Sequence, residues 1–221
     1  MTKLAPSPSD DSHPFLNAIV AQLEEEIIFG QLHPNERLIE DELMMRFGAK
    51  RHVVRKAFDG LEALGIVERA PNKGARVKAF SREDVIYLYQ MREMLETQAA
   101  SVIPLPLAAS DMERLRTAQG AHDEAVASRD LRRVFRANMQ FHRVLFDLVG
   151  NPFLKRAIND FAGYTHALRF CTLRDFDLVR RSQAEHHAML EALQRADRAA
   201  LVELCRQHLI PARDMFLNQG N

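Results

Sequence analysis

Strand signals in this chain are confined to one short stretch, Ile66 to Val77, which limits the fold to helices carrying a single small hairpin. Upstream, the apolar residues Phe15, Ile19, Val20, Leu23, Ile27 and Ile28 recur at helical spacing, and Gly30 supplies a stop. After a Pro34-Asn35 turn, a second helix is expected from Glu40 to Phe47, with Leu43, Met44 and Phe47 inward and Gly48 ending it. A third is expected from Lys50 to Leu64, with Val54, Ala57, Phe58, Leu61 and Leu64 as its buried stripe and Gly65 closing it. Ile66, Val67 and Glu68, the turn Pro71-Asn72-Lys73-Gly74, and Ala75, Arg76 and Val77 then read as the hairpin. Three helices followed by a hairpin make a winged helix-turn-helix, placed at residues 15–80 after a disordered segment, 1–14.

From Ser81 onward strand and turn signals disappear. Breaks at Pro104 and Pro106, Ser128 to Asp130, Gly150-Asn151-Pro152, Arg174-Asp175 and Ala196-Asp197 imply six or seven helices in an all-α bundle over 81–221. The fold class is therefore mainly α in two domains, which the 47% hydrophobic content is enough to fill. Cys171 and Cys205 are too few for a disulfide framework and too far apart for a CxxC site, so both are expected in the core of a protein from a reducing cytosol. With no signal-peptide core and no apolar run approaching about 20 residues, a cytoplasmic protein is expected.

The 30 basic and 30 acidic residues cancel overall, so any nucleic-acid site must be local. It is found between Arg46 and Lys78, where nine basic residues face three acidic ones. Arg51 and Arg55 lie four apart on the outer face of the third helix, and the same face turns acidic at Asp59 and Glu62. Only the N-terminal end of that helix can then approach phosphates, the polarity of a recognition helix in a major groove. The planar fork of Arg suits guanine O6 and N7. Lys50 and His52 are expected to position the backbone, with Asn72, Lys73, Gly74 and Arg76 reaching an adjacent groove.

The stretch IIFGQLHPNERLIEDELMMRFGAKRHVVRKAFDGLEALGIVERAPNKGARV resembles the DNA-binding domain of the GntR family of bacterial regulators. That resemblance implies that Arg51 and Arg55 are the principal operator contacts and that Asn72 to Gly74 form the wing tip. Asn35 stands where the family usually has Gly, Lys50 where it has Ser or Thr, Val53 where Pro is common, and Asp41 where relatives often place a basic contact.

In the bundle, the informative feature is polar residues on apolar stripes. Asn138 and His142 fall on the stripe of Phe135, Leu145 and Val149; His186 on that of Val179, Ser182, Leu190 and Leu193; His208 on that of Leu201, Leu204, Ala212 and Met215. Three helices thus point imidazoles inward, and with the amide they can share a divalent cation, zinc first, nickel or manganese otherwise. His122, His166 and His187 are given no metal role. The segments REDVIYLYQMREMLETQAA, NMQFHRVLFDLVGNPFLKRAI, SQAEHHAMLEAL and CRQHL resemble the FCD effector domain of the FadR subgroup. The resemblance implies a metal held by Asn138, His142, His186 and His208, with Asn138 where metal-binding members have Asp. It also implies a small carboxylic acid as effector, for which Arg92 and Arg169 are the candidate partners, unless Arg92 pairs with Glu96 instead.

The function expected is a homodimeric regulator, a repressor, that binds double-stranded operator DNA and has no catalytic residues. The rivals are a metal-dependent enzyme using the three-His site and a regulator whose pocket holds its ligand without metal. Against the enzyme, no inward carboxylate has an evident general-base placement, since Glu185 is expected to point about 100° away from His186.

Overall fold

The computed structural model describes residues 13–70, 74–173 and 175–218, with the backbone alone at 70, 167 and 169–171. The expected roles of Asn72, Lys73 and the Arg169 side chain, the core placement of Cys171 and most of the expected disordered segment lie outside the described residues. Two compact units divide the chain, Met1–Ala79 and Phe80–Asn221.

The first unit contains α1 (His13–Ile28), β1 (Arg37–Leu38), α2 (Glu40–Phe47), α3 (Arg51–Ala63), β2 (Val67–Ala70) and β3 (Gly74–Val77). Helix α1 begins at His13, so His13 and Pro14 belong to a helix and not to a disordered tail. Ile19, Leu23 and Ile28 of α1 and Val54, Ala57, Phe58 and Leu61 of α3 are each at most 2% exposed, forming the core that the apolar spacing implies. Val53 joins them at 2% exposure, so Val in place of Pro adds packing at the first turn of α3. Lys50 occupies the N-cap of α3 without a side-chain cap hydrogen bond, the bond that Ser or Thr would supply there. The sequence pattern missed β1, whose two residues are too few to show alternation. β1 pairs with β3, giving the antiparallel order β1-β3-β2 with Ala75 and Val77 inward and Arg76 outward.

Asn35 has φ 66°, and its backbone N–H donates to Val77 O at 2.9 Å. The bend from α1 toward β1 therefore needs left-handed backbone, which Gly adopts freely and Asn better than other side-chain-bearing residues. Asn in place of Gly here is thus conformationally consistent. Asn35→Ala is expected to cost about 1–2 kcal/mol, read as a lowered urea-unfolding midpoint, while Asn35→Gly is expected to leave the midpoint unchanged or raise it.

The second unit comprises α4 (Arg82–Val102), α5 (Ala109–Ser128), α6 (Leu131–Asp147), α7 (Pro152–Tyr164), α8 (His166–Leu173), α9 (Phe176–Gln194) and α10 (Arg198–Asn218). Helix starts are set by local side chains: a capping box at Ser81 and Asp84, and single caps at Asp130, Asn151 and Asp175. The α7–α8 break carries no Pro signal and only a lone Gly163 in the last turn of α7; there the Thr165 hydroxyl donates to Ala162 O at 2.9 Å and competes with the helical bond. Phe141, Leu145, Leu115, Met189, Leu193 and Leu201, from α5, α6, α9 and α10, are each at most 1% exposed and build the core. Among the described residues, no helix is long and apolar enough to cross a membrane.

Candidate functional site

In the first unit, Arg51 and Arg55 project from α3 with about half of each side chain exposed, 50% and 54%. Their inward neighbours Val53 and Val54 carry the packing, which leaves both guanidinium groups on the outer face. Both are held by carboxylates at the start of α2, an arrangement sequence reasoning missed. Arg51 Nη1 donates to Glu40 Oε2 at 3.1 Å and its Nη2 to Asp41 Oδ1 at 2.6 Å. Arg55 Nε donates to both Glu40 oxygens, at 3.0 and 3.2 Å. The bond from Arg55 is the main reason that the Glu40 carboxyl titrates below its ordinary range. Lys50 and His52 are exposed beside this pair, Gly74 is exposed at the start of β3, and Arg76, outward on the same strand, pairs with Glu68.

In the second unit, the inward stripes of α6, α9 and α10 bring His142, His186 and His208 together, with one ligand nitrogen from each within 4.8 Å of the others. His142 Nε2 lies 3.0 Å from His208 Nε2 and 3.3 Å from His186 Nε2. The outer nitrogens decide what these inner ones can do. Asp123 is a carboxylate: burial would raise its pKa, but hydrogen bonds from Gln183, Gln119 and His187 outweigh that and lower it. As an ionised acceptor at 2.8 Å it fixes the Gln119 amide with NH2 toward it, so Gln119 Oε1 faces His186 Nδ1 at 3.0 Å. His186 Nδ1 is therefore the protonated nitrogen.

His208 follows the same logic. Its Nδ1 lies 2.7 Å from Glu185 Oε2, and Glu185 is also ionised: burial opposes charge, but His208 and Arg181 overcome it. With both Nδ1 atoms committed as donors, a neutral ring at His186 or His208 would aim its Nε2 lone pair at His142. Lone pairs about 3 Å apart repel one another unless a cation or proton lies between them. Three convergent imidazole nitrogens, two of them oriented by outer-shell acceptors, are a donor set suited to zinc or nickel.

The expectation about Glu185 needs correction. The roughly 100° turn from His186 aims it not away from the site but toward His208 of α10, and it borders the cavity. Gln119, Asp123, Glu185 and Arg181 form the support of the trio; the available signals were Gln119, His122 and Asp123 within one turn of α5 and Glu185 beside His186.

Through His208 the trio meets a cavity of about 80 Å³, lined also by Arg92, His122, Asn138, Glu185 and apolar side chains including Phe135 and Leu209. That is several water molecules of space, enough for a small organic acid. Asn138 faces it one turn before His142. Arg92, 3% exposed, pairs with Glu96 through Nη2 at 2.7 Å and donates from Nη1 to Thr165 Oγ1 at 3.2 Å. The Arg92–Glu96 pair therefore forms, and the same guanidinium borders the cavity. His166 packs edge-on against Phe135, and His187 is exposed and bonded to Asp123.

His122 is 1% exposed, with its ring centroid 5.1 Å from that of His186. Burial pushes its pKa down to about 4, below the ordinary 6.5. An unfolded chain takes up this proton from about pH 6.5 downward, whereas the folded chain does so only near 4. Stability contributed by the neutral ring is therefore present above pH 6.5 and lost as pH falls toward 4, by about 3 kcal/mol in total. Urea unfolding of wild type and His122→Gln across this range is expected to show the slope reduced in the variant; identical slopes would refute it.

Both units match known families. Residues 16–77 match bacterial regulatory proteins, gntR family, and residues 87–210 match the FCD domain. This pairing defines a DNA-binding transcription regulator. The chain belongs to the GntR family, with FCD as its second domain. It is 25% identical to the HTH-type transcriptional regulator LutR of Bacillus subtilis over 212 residues, covering 85% of this chain and 94% of LutR. It is 23% identical to the HTH-type transcriptional repressor RspR of Escherichia coli over 200 residues, 90% of this chain and 87% of RspR. Among solved structures, E. coli McbR/YncC shares the fold with TM-score 0.80 at 18% identity, covering 94% of this chain and 99% of that one.

Proposed function

We propose that this regulator is a cytoplasmic repressor that binds a two-fold operator as a homodimer, and that a small carboxylate bound at a divalent metal in the FCD domain changes its operator affinity. The observation that carries the reading is the convergence of three imidazole Nε2 atoms, two of them turned inward by Glu185 and by the Gln119–Asp123 relay. His142, His186 and His208 would hold the metal, with Asn138 as the fourth protein ligand. The ion supplies a concentrated positive charge, which three neutral imidazoles and a neutral amide leave uncancelled, and so attracts a carboxylate. Arg92, bordering the cavity, adds guanidinium hydrogen-bond donors, its charge balanced by Glu96.

Arg51 and Arg55 are the base-reading residues of the proposal, Lys50 and His52 backbone contacts, and Gly74 and Arg76 part of the wing. The repressor reading is supported by the name of RspR. Ligand binding alters DNA affinity only if it favours one placement of the paired DNA-binding domains over another. No catalysis is assigned, because Glu185, the carboxylate bonded to the trio among the described residues, is engaged by both His208 and Arg181.

A thermal-shift screen of small carboxylic acids, with and without added zinc, tests this. Stabilisation by an acid only when zinc is present is the expected outcome, since a ligand of the folded state raises stability by mass action. Stabilisation independent of zinc and abolished by Arg92→Ala would replace the metal with direct hydrogen bonding in the same pocket. Turnover of an acid without operator binding would overturn the regulator reading.

A further inference from the structure

We propose that Glu40 and Asp41 form a specificity device at the start of α2: Glu40 fixes Arg51 and Arg55 in one register for reading bases, and Asp41 withholds Arg51 from phosphate. This rests on Arg51 and Arg55 being operator contacts, as read above.

The two acids differ in setting. Only 16% of the Glu40 side chain is exposed, and it meets both arginines, whereas 67% of Asp41 is exposed and it meets Arg51. Glu40 grips Arg55 at Nε, its inner edge. That grip leaves the Nη1–Nη2 fork, the edge that matches guanine O6 and N7, with no partner among the described residues. Arg51 is held differently, because its fork is already closed: Nη1 on Glu40 and Nη2 on Asp41.

A phosphate approaching Arg51 must therefore displace an exposed carboxylate of its own sign. A guanine edge is neutral and offers two acceptors in the plane of the fork, so it meets less repulsion in the same exchange. The device penalises backbone-only binding more than base reading, and Glu40, less exposed than Asp41, stays on Arg55 Nε and keeps that fork aligned meanwhile. Glu40 is thus a positioning residue that acts through the arginines.

The test uses full-length protein, a duplex enriched by the wild type from a randomised pool, and a mixed-sequence duplex, with Kd measured across a salt series. Glu40→Gln is expected to bind the enriched duplex about 10-fold or more weakly, to bind the mixed duplex no more weakly, and to select a relaxed sequence when the enrichment is repeated. Asp41→Asn is expected to bind the mixed duplex about 3- to 10-fold more tightly, with a salt slope steeper by about one. Simple removal of negative charge near DNA predicts instead that both variants bind both duplexes more tightly, and that result for Glu40→Gln would overturn the proposal. Unchanged mixed-duplex affinity and slope for Asp41→Asn would overturn the withholding role, and this exposed site keeps the test open if Glu40→Gln melts early. If the double variant Arg51→Ala/Arg55→Ala still binds the enriched duplex, the DNA-contact reading fails and takes the proposal with it. If that variant loses binding while Glu40→Gln behaves as wild type, the proposal alone fails.

Discussion

Replacing Arg51 and Arg55 together by Ala is expected to weaken binding to a selected operator duplex by about 10²- to 10⁴-fold, at roughly 1–3 kcal/mol for each bidentate base contact. Binding to mixed-sequence DNA should fall far less, because the remaining wing and helix-end cations still meet phosphates. The fold should survive the change: Val53 and Val54 carry the packing of this turn, and the lost ion pairs are exposed. Lys50→Ala makes the contrast, with an expected weakening that is similar on all sequences and a salt slope reduced by about one. Fluorescence anisotropy at several salt concentrations reads both. Equal losses on the two duplexes for the double variant would show that the arginines touch only the backbone.

The second large effect lies in the histidine trio. His142→Ala, His186→Ala and His208→Ala are each expected to lower zinc affinity by more than the roughly 10- to 100-fold that an outer-shell change costs, and Glu185→Gln to fall within that range. Glu185→Gln keeps the side chain's shape and removes the charge that fixes the His208 tautomer, so it tests orientation apart from ligation. His186 stacks on Phe141 with centroids 4.0 Å apart, so its truncation also opens the core; His208, with 11% of its side chain exposed, gives the cleaner ligand deletion. Competition against a chelator of known affinity measures each. Wild-type affinity in all three His variants would remove the trio from metal binding.

What the sequence made legible depended on distance along the chain. Helices were readable because their apolar periods are long and because Gly30, Gly48 and Pro152 punctuate them, and the inward stripes brought His142, His186 and His208 into one argument. The α7–α8 break was missed because a lone Gly163 inside a helical pattern is a weak stop and the Thr165 hydroxyl is a purely local one, and β1 because two residues carry no period. The supports of the sites escaped for a different reason. Gln119 reaches His186 from 67 positions away and Glu185 reaches His208 from 23, so helix packing alone makes them neighbours. Glu40 is 11 and 15 positions from the arginines it holds, across the turn between α2 and α3. For Arg92 the spacing to Glu96 made the ion pair foreseeable, but its position at the cavity came from the fold.

Elemental analysis of the protein as purified, wild type beside Asn138→Asp, tests most directly whether the inward nitrogens hold an ion. About one divalent ion per chain is expected in the Asp variant, and the same ion, more readily stripped by chelator, in the wild type. Protein of both kinds that stays metal-free after incubation with zinc, nickel or manganese would contradict it and leave the cavity to an organic ligand alone.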